Sequence, residues 1–244
     1  MDYIIYPVKL LETRDFGGAA RAFYFEKPQG FSWDEAAHMH LALPGFDEGG
    51  VRNKALIHHL SIITLPEEGR VGFLTRLDSS DSVYKKTLAG LKIGDSVYLF
   101  KPGSILRLRR DGRPVVLLSM GVGAGVLRPL ALRYAKNQEG IPSFTACLAA
   151  RGEGYPFEEE LAGLRAPGLA IRACSGRAAF AHALESLPFE NSALYLIVGS
   201  DPFIKGCIDT LLEKGVSLDD MVIDLKPEKR AALLERLGFI SQPA

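Results

Sequence analysis

The chain has 244 residues, of which 47% are hydrophobic and 24% are charged, enough apolar material for two modest hydrophobic cores. Lysine plus arginine and aspartate plus glutamate both number 29, so the formal net charge is zero. This balance excludes the strong basic field of proteins that bind nucleic acids or anionic membrane surfaces, and we expect no nucleic-acid partner.

Targeting segments and cysteine frameworks are not recognisable in the sequence. The first residues lack the basic region and apolar core of a signal peptide. The most apolar window, residues 115–135, contains three glycines and two arginines, which argues against a membrane span. The three cysteines are widely spaced and odd in number, which predicts neither a disulfide framework nor a cysteine-ligated iron–sulfur or zinc site. The sequence therefore predicts a cytoplasmic protein.

Short strand-like runs separated by turn residues fill the first half of the chain. One segment, residues 82–91, instead has apolar positions at helical spacing, with Ser82 placed to cap the helix. Short strands with a single helix predict an antiparallel β-barrel or a sandwich. The predicted strands are Ile4–Val8, Ala20–Phe25, Met39–Leu43, Leu56–Thr64, Val71–Leu77 and Ser96–Phe100.

A buried strand, Val115–Ser119, leads directly into a glycine-rich turn and a helical pattern. Because Gly121, Gly123 and Gly125 lack Cβ atoms, the turn can adopt positive φ and let a ligand approach the backbone. The free N–H groups at the start of the following helix suit a phosphate. The spacing G-x-G-x-G is not the full dinucleotide fingerprint, so a plain strand-to-helix turn is the alternative.

Strands and helices alternate through the second half, which predicts a doubly wound, five-stranded parallel sheet. Ligands of such sheets bind outside the carboxyl ends of the strands. The predicted strands are Val115–Ser119, Ser143–Ala150, Leu169–Cys174, Ala193–Val198 and Met221–Leu225, and the helices are Val126–Lys136, Phe157–Leu164, Ala178–Leu187, Pro202–Lys214 and an extra C-terminal one over 226–237.

Four features follow one another along the chain: Pro44-Gly45, the segment His58-His59-Leu60-Ser61-Ile62, the Leu-Lys-x-Gly-Asp ending of the short helix at 91–95, and the glycine-rich turn. In this order they resemble the ferredoxin–NADP reductase superfamily of flavoproteins. The resemblance implies an N-terminal antiparallel Greek-key barrel that binds FAD, residues 1–111, and an α/β domain that binds NADP or NAD, residues 112–244. It also implies an oxidoreductase that accepts hydride from NAD(P)H and passes electrons to ferredoxin, flavodoxin, another redox protein or a small molecule.

The resemblance also assigns flavin contacts. The family segment reads Arg-x-Tyr-Ser: the Arg pairs with the flavin phosphates, the Tyr stacks on the isoalloxazine and the Ser hydrogen-bonds near N5. Here His58 and Leu60 stand at the Arg and Tyr positions, and only Ser61 is retained. The implied flavin-binding residues are His58, His59, Leu60, Ser61 and Ile62 on the strand and Ser82, Val83, Tyr84 and Lys85 on the helix. Alternatively, Ser82 only caps a surface helix and Lys85 is solvated.

For the nucleotide, the resemblance implies contacts by Gly121, Val122 and Gly123, with Gly199 and Ser200 bordering the nicotinamide. Of the family's Gly-Gly-x-Gly-x-Thr-Pro turn only the central glycines remain, and Val198 replaces a Cys. Arg151 and Arg177 stand where the family binds the adenosine ribose or its 2′-phosphate; the alternative is a pair of solvated arginines. Phe239 is the candidate for a C-terminal aromatic that packs on the flavin, unless the tail packs on its own domain or on a partner.

Two other functions remain open at this stage. One is a cofactor-degenerate binding or assembly subunit of the same fold, suggested by the changes at His58, Leu60, Gly125 and Val198. The other is a metal site of His38, His40 and His58, because alternate residues of a strand share one face and imidazoles bind metals well. The leading interpretation involves no metal.

Overall fold

The computed structural model describes residues 4–78, 82–150, 154–187, 193–225 and 227–240. The chain folds as two compact units, Met1–Arg107 and Leu108–Ala244, which we call unit 1 and unit 2. Among the described residues, every helix is too short or too polar to cross a membrane.

Unit 1 is built on a six-stranded antiparallel sheet with the strand order β4-β3-β6-β1-β2-β5. A bridge between Ile62 and Phe73 joins the end of β4 to β5, which closes the sheet into a barrel. Strand alternation sorts its side chains: Met39 and Leu41 are fully buried in the barrel core, whereas His38 and His40 lie on the opposite face of β3. The elements are β1 Ile5–Asp15, β2 Ala20–Glu26, β3 His38–Ala42, β4 Ile57–Ser61, β5 Arg70–Arg76, α1 Val83–Ala89 and β6 Ser96–Gly103.

Strand β1 is longer than the sequence predicted. After Leu10, which is buried, the strand is exposed and mostly polar, although the backbone continues to pair with β2 as far as Asp15. The hairpin turns through Gly17, Gly18 and Ala19, all of which have positive φ. Backbone pairing, and not burial, holds this part of the strand.

Unit 2 is a five-stranded parallel sheet with the order β11-β10-β7-β8-β9. The central strand β7 is buried on both faces, because helices cover it on either side. The elements are β7 Val115–Met120, α2 Ala124–Lys136, β8 Phe144–Ala150, α3 Glu158–Ala162, β9 Leu169–Ser175, α4 Gly176–Glu185, β10 Leu194–Val198, α5 Asp201–Glu213, β11 Met221–Ile223 and α6 Pro227–Arg236. The predicted combination of an antiparallel barrel and a doubly wound sheet is confirmed.

The extra C-terminal helix α6 packs against unit 2. Leu233 and Leu234 are buried in the same hydrophobic cluster as residues of α5. The Arg230 guanidinium donates to the carbonyl oxygen of Leu218 at 2.9 Å. The helix thereby extends the core of the parallel sheet.

Candidate functional site

The glycine-rich turn lies at the carboxyl end of the central strand β7, between that strand and α2. Gly121 has a φ of +57°, and the space that a Cβ would fill there is open. At Gly123 a Cβ would lie 3.0 Å from the Ser119 Cβ and 3.4 Å from the Val198 carbonyl oxygen. Gly123 therefore lets the turn pack closely on β7 and β10, while Gly121 leaves the backbone open to a ligand.

The neighbouring strand β10 ends in a second turn at the same edge of the sheet. Gly199 and Ser200 are both exposed there, and the Ser200 hydroxyl donates to the Met120 thioether sulfur at 3.5 Å. A Cβ on Gly199 would overlap the Phe203 ring. The structure thus brings Gly199 and Ser200 to the edge that also carries Gly121, as the sequence predicted, and adds Met120 and Phe203 as their packing partners.

Of the two predicted arginines, Arg177 lies in the first turn of α4, immediately after the carboxyl end of β9, and is exposed. Gly176 starts this helix with a φ of +84°, which lets the chain turn sharply out of the strand. Arg177 therefore reaches the predicted ligand edge of the sheet. Arg151 lies outside the described residues.

An ion pair that sequence reasoning missed joins α2 to α3. The Arg128 guanidinium donates from Nε to Glu160 Oε2 at 2.8 Å and from Nη2 to Oε1 at 2.7 Å. The two residues are 32 positions apart, and no local pattern marks Arg128 as a residue that will be buried.

In unit 1, the strand predicted to contact flavin is β4. Its His58 ring lies flat on the Tyr84 ring of α1, with centroids 3.8 Å apart and an interplanar angle of 5°. Partial burial of the imidazole, and secondarily the charge of Lys85, lower the pKa of His58. Leu60 is half-buried against the barrel core. Ile62 is fully buried in that core, so its side chain packs inside the barrel, and its contact with a cofactor stays a prediction.

The start of α1 holds a small charged group. The Ser82 hydroxyl accepts a long hydrogen bond from the Lys85 backbone N–H, at 3.4 Å, and so caps the helix. Lys85 Nζ pairs with Asp78 at 2.7 Å, and Arg76 approaches the same carboxylate at 3.6 Å. The hydrogen bond from Lys85 is the main reason that the pKa of Asp78 is lowered. Val83 is 55% exposed and Tyr84 is buried, so only some of the four predicted positions face outward.

The alternative metal set of His38, His40 and His58 does not come together. His58 contacts Tyr84, whereas His59 is the β4 residue whose ring lies 4.1 Å from that of His38 and 5.3 Å from that of His40, centroid to centroid. Neighbouring residues of a strand point to opposite faces, so His58 is directed away from the other three. Within the described ranges, no cluster of three or more His, Cys, Asp or Glu residues is arranged to hold a metal ion.

Phe239 lies in unit 2, directly after α6. Its backbone N–H bonds to the Leu234 carbonyl oxygen, and its ring lies 5.1 Å from Lys205 Nζ of α5. The ring is partly buried against the core of the unit. Phe239 therefore packs on its own domain, which is one of the alternatives that the sequence left open.

The chain was compared with protein-family models, curated proteins and solved structures. No protein-family model matches the sequence. A curated flavohemoprotein from Vibrio cholerae is 40% identical to the chain over 76 residues, which make up 30% of this chain and 18% of that protein.

Solved structures resemble the chain over most of its length. Flavohemoglobin from Malassezia yamatoensis, with bound FAD and heme, has a TM-score of 0.75 at 14% identity, over 91% of this chain and 60% of its own. A ferredoxin NADP+ reductase from Neisseria gonorrhoeae, with bound FAD and NADP, has a TM-score of 0.74 at 16% identity, over 90% of this chain and 98% of its own. The chain thus spans less than two thirds of the two flavohemoproteins and nearly all of the reductase. It has the fold of the ferredoxin–NADP reductase superfamily.

Proposed function

We propose that the protein is a flavin-dependent oxidoreductase that accepts hydride from NADH or NADPH and passes the electrons to a second acceptor, a redox protein such as ferredoxin or flavodoxin or a small molecule. The observation that carries the proposal is the open backbone at Gly121, at the start of α2 and at the carboxyl end of the central strand. This is the place where a doubly wound sheet binds a nucleotide phosphate. In this proposal unit 1 binds FAD and unit 2 binds the nicotinamide nucleotide.

The residues of unit 2 fit a nucleotide. Gly121 leaves room for a phosphate against the backbone, and Gly123 keeps the turn close to β7. The exposed guanidinium of Arg177 stands at the same edge and suits a phosphate or ribose oxygen. We propose that Gly199 and Ser200 border the nicotinamide.

The residues of unit 1 fit a flavin, but with different side chains from those of the family pattern. Leu60 offers a half-buried apolar surface for an aromatic ring, and Ser61 follows it with a hydroxyl. Among the residues that the structure describes here, Lys85 and Arg76 pair with one carboxylate, that of Asp78, which leaves one positive charge in excess for a phosphate. The neutral His58 ring adds no charge. Lys85 and Arg76 are thus proposed to supply the charge that an arginine at position 58 would have given.

A bound flavin would supply the redox chemistry, since it accepts a hydride and releases electrons singly or in pairs. The protein's own residues then bind and orient. We propose that the Ser61 hydroxyl hydrogen-bonds the reactive part of the flavin and that the turns at Gly121 and Gly199 hold the nucleotide. The reaction needs no side-chain nucleophile and no acid–base pair, so its rate depends on positioning.

The test is an anaerobic titration of FAD-loaded protein with NADH and with NADPH, in which the loss of oxidised-flavin absorbance is followed. We expect one nucleotide to reduce the flavin stoichiometrically. Gly121→Ala should slow this reduction, whereas Gly215→Ala, which has the same positive φ and open surroundings but precedes β11 at the amino edge, should not. A colourless protein that takes up no added FAD would overturn the proposal and favour a binding or assembly subunit.

A further inference from the structure

We infer that Arg128 is a positioning residue for the nicotinamide nucleotide, which it serves by fixing residues 154–160, the segment that leads into α3. The inference rests on the proposed function. It concerns a residue that contacts neither cofactor in the scheme above and acts through the backbone that it holds.

The Arg128 side chain is buried and held by specific contacts. The residue is only 7% exposed, and its guanidinium forms two parallel hydrogen bonds with the Glu160 carboxylate, at 2.8 and 2.7 Å. The same guanidinium lies 5.3 Å from the centre of the Phe157 ring. A buried arginine is costly unless it is paired, and a bidentate pair fixes the orientation of both partners. Among the described residues, Arg128 therefore contacts the segment at Phe157 and at Glu160.

The segment needs such an anchor because it has little structure of its own. Helix α3 has only five residues, and a helix this short is not stable without outside contacts. Phe157, which precedes it, has a φ of +68°, a strained backbone conformation for a residue with a side chain. The burial of the Phe157 ring and its contact with Arg128 offset that strain.

The anchor lies at the functional edge of the sheet. Arg128 is the fifth residue of α2, about 6 Å along the axis from the helix start, given the rise of about 1.5 Å per residue. Residues 154–160 follow the carboxyl end of β8, the strand that pairs with β7. The ion pair thus joins the two segments that leave neighbouring strands where a nucleotide would bind. A displacement of this segment would therefore weaken the binding of the nucleotide.

The opposite edge of the same sheet provides a matched control. Arg113 precedes β7, and its Nη1 donates to the Asp220 carboxylate at 3.0 Å, just before β11. It is also an arginine in an ion pair that joins two distant segments of unit 2. Because this pair lies at the amino ends of the strands, its loss should lower stability without affecting the nucleotide.

The experiment compares Arg128→Met, Arg128→Lys and Glu160→Gln with Arg113→Met, all loaded with FAD. For each variant, KM and kcat are measured with the nucleotide that reduces the wild type, its dissociation constant is measured by calorimetry, and the melting temperature is recorded. We expect Arg128→Met to raise KM and the dissociation constant about tenfold, with kcat within about twofold of wild type, since the displaced backbone would bind the nucleotide less well in the ground state and the transition state alike. Arg128→Lys, which keeps the charge, should recover part of the affinity. Arg113→Met should change neither constant.

The inference is overturned if Arg128→Met has the same KM and dissociation constant for the nucleotide as Arg113→Met and only its melting temperature is reduced. The ion pair would then have a structural role alone. If Arg128→Met does not fold, Arg128→Lys and Glu160→Gln decide by the same criterion. A wild type that binds neither nucleotide fails the proposed function. If the wild type binds one of the nucleotides and Arg128→Met binds it equally well, only this inference fails.

Discussion

The imidazole of His58 lies parallel to the phenol ring of Tyr84, with ring centroids 3.8 Å apart. This contact gives the His58 ring a packing partner at the strand position where the family resemblance in the sequence leads us to expect an arginine. Partial burial of the ring and, secondarily, the nearby charge of Lys85 lower the pKa of His58, which favours the neutral form of the imidazole. The position has become part of the packing between β4 and α1, and positive charge is left to Lys85 and Arg76.

His58→Arg should tighten the binding of FAD. A guanidinium at this position would place a permanent charge beside the proposed phosphate site, and a hydrogen bond to a charged group is worth about 1.5–3 kcal/mol, roughly ten- to a hundredfold in affinity. Riboflavin, which has no phosphate, should bind the variant and the wild type equally. Titration of each flavin, followed by its fluorescence, measures both constants.

The matched control is Leu11→Arg, at an exposed position of β1, a strand that pairs with β2 and β6. It adds the same charge to unit 1 on a strand that carries none of the proposed flavin contacts, and it should leave the FAD constant unchanged. If His58→Arg tightens the binding of riboflavin and of FAD equally, the phosphates do not lie near this residue.

His58 should also make the stability of unit 1 depend on pH. Histidine titrates near pH 6.5 in the unfolded chain, and its pKa is lowered in the folded protein, so the unfolded state binds more protons as the pH falls. The stability that this residue contributes is therefore present above about pH 6.5 and is lost as the pH falls towards the folded pKa.

The check on this pH dependence is a comparison of melting temperatures at about pH 7.5 and about pH 5.5. His58→Phe keeps an aromatic ring against Tyr84 and removes the titration, so it should lose less stability on acidification than the wild type does. His182→Phe, at an exposed position of α4, serves as control. If acidification lowers the melting temperature of the wild type and of His58→Phe by the same amount, the lowered pKa of His58 is contradicted.

Much of the architecture could be predicted because local sequence patterns determine it. The run Val115–Ser119 followed by glycines fixes a buried strand and a turn within about ten residues, and the alternation after it fixes a parallel sheet. Gly121, Gly199 and Ser200 were placed correctly at one edge because the carboxyl ends of parallel strands meet there. These predictions needed no knowledge of side-chain packing.

The rest of the candidate site depends on contacts between distant positions. His58 and Tyr84 belong to different elements, and so do Arg128 and Glu160, so neither pair has a spacing that a sequence pattern could reveal. The exposed half of β1 was missed for a related reason, because backbone pairing with β2 leaves no apolar signal. Ile62 was assigned to the cofactor by its neighbours in the sequence, yet its place in the closing bridge of the barrel buries it.

Gly123→Ala should destabilise unit 2 by about 1–3 kcal/mol, because a Cβ there would press on the Ser119 side chain at 3.0 Å and on the Val198 carbonyl oxygen at 3.4 Å. Both neighbours belong to central strands that cannot move freely. Gly206→Ala in the interior of α5 is the matched control: nothing lies within 4 Å of its Cβ, so it should stabilise by about 0.5–1 kcal/mol. Denaturant unfolding measures both; a neutral Gly123→Ala would mean that the turn is looser than described.

Phe239→Ala should leave the flavin untouched. The aromatic ring packs on Lys205 in unit 2 and is partly buried against the core, so its removal should cost the unit about 1 kcal/mol through the lost packing and cation–π contact. The FAD dissociation constant and the shape of the flavin absorbance band should match those of the wild type. Leu234→Ala, which removes a buried α6 side chain, should cost about 2–5 kcal/mol and calibrate the stability measurement. A several-fold weaker FAD constant in Phe239→Ala would instead mean that the C-terminal aromatic contacts the flavin.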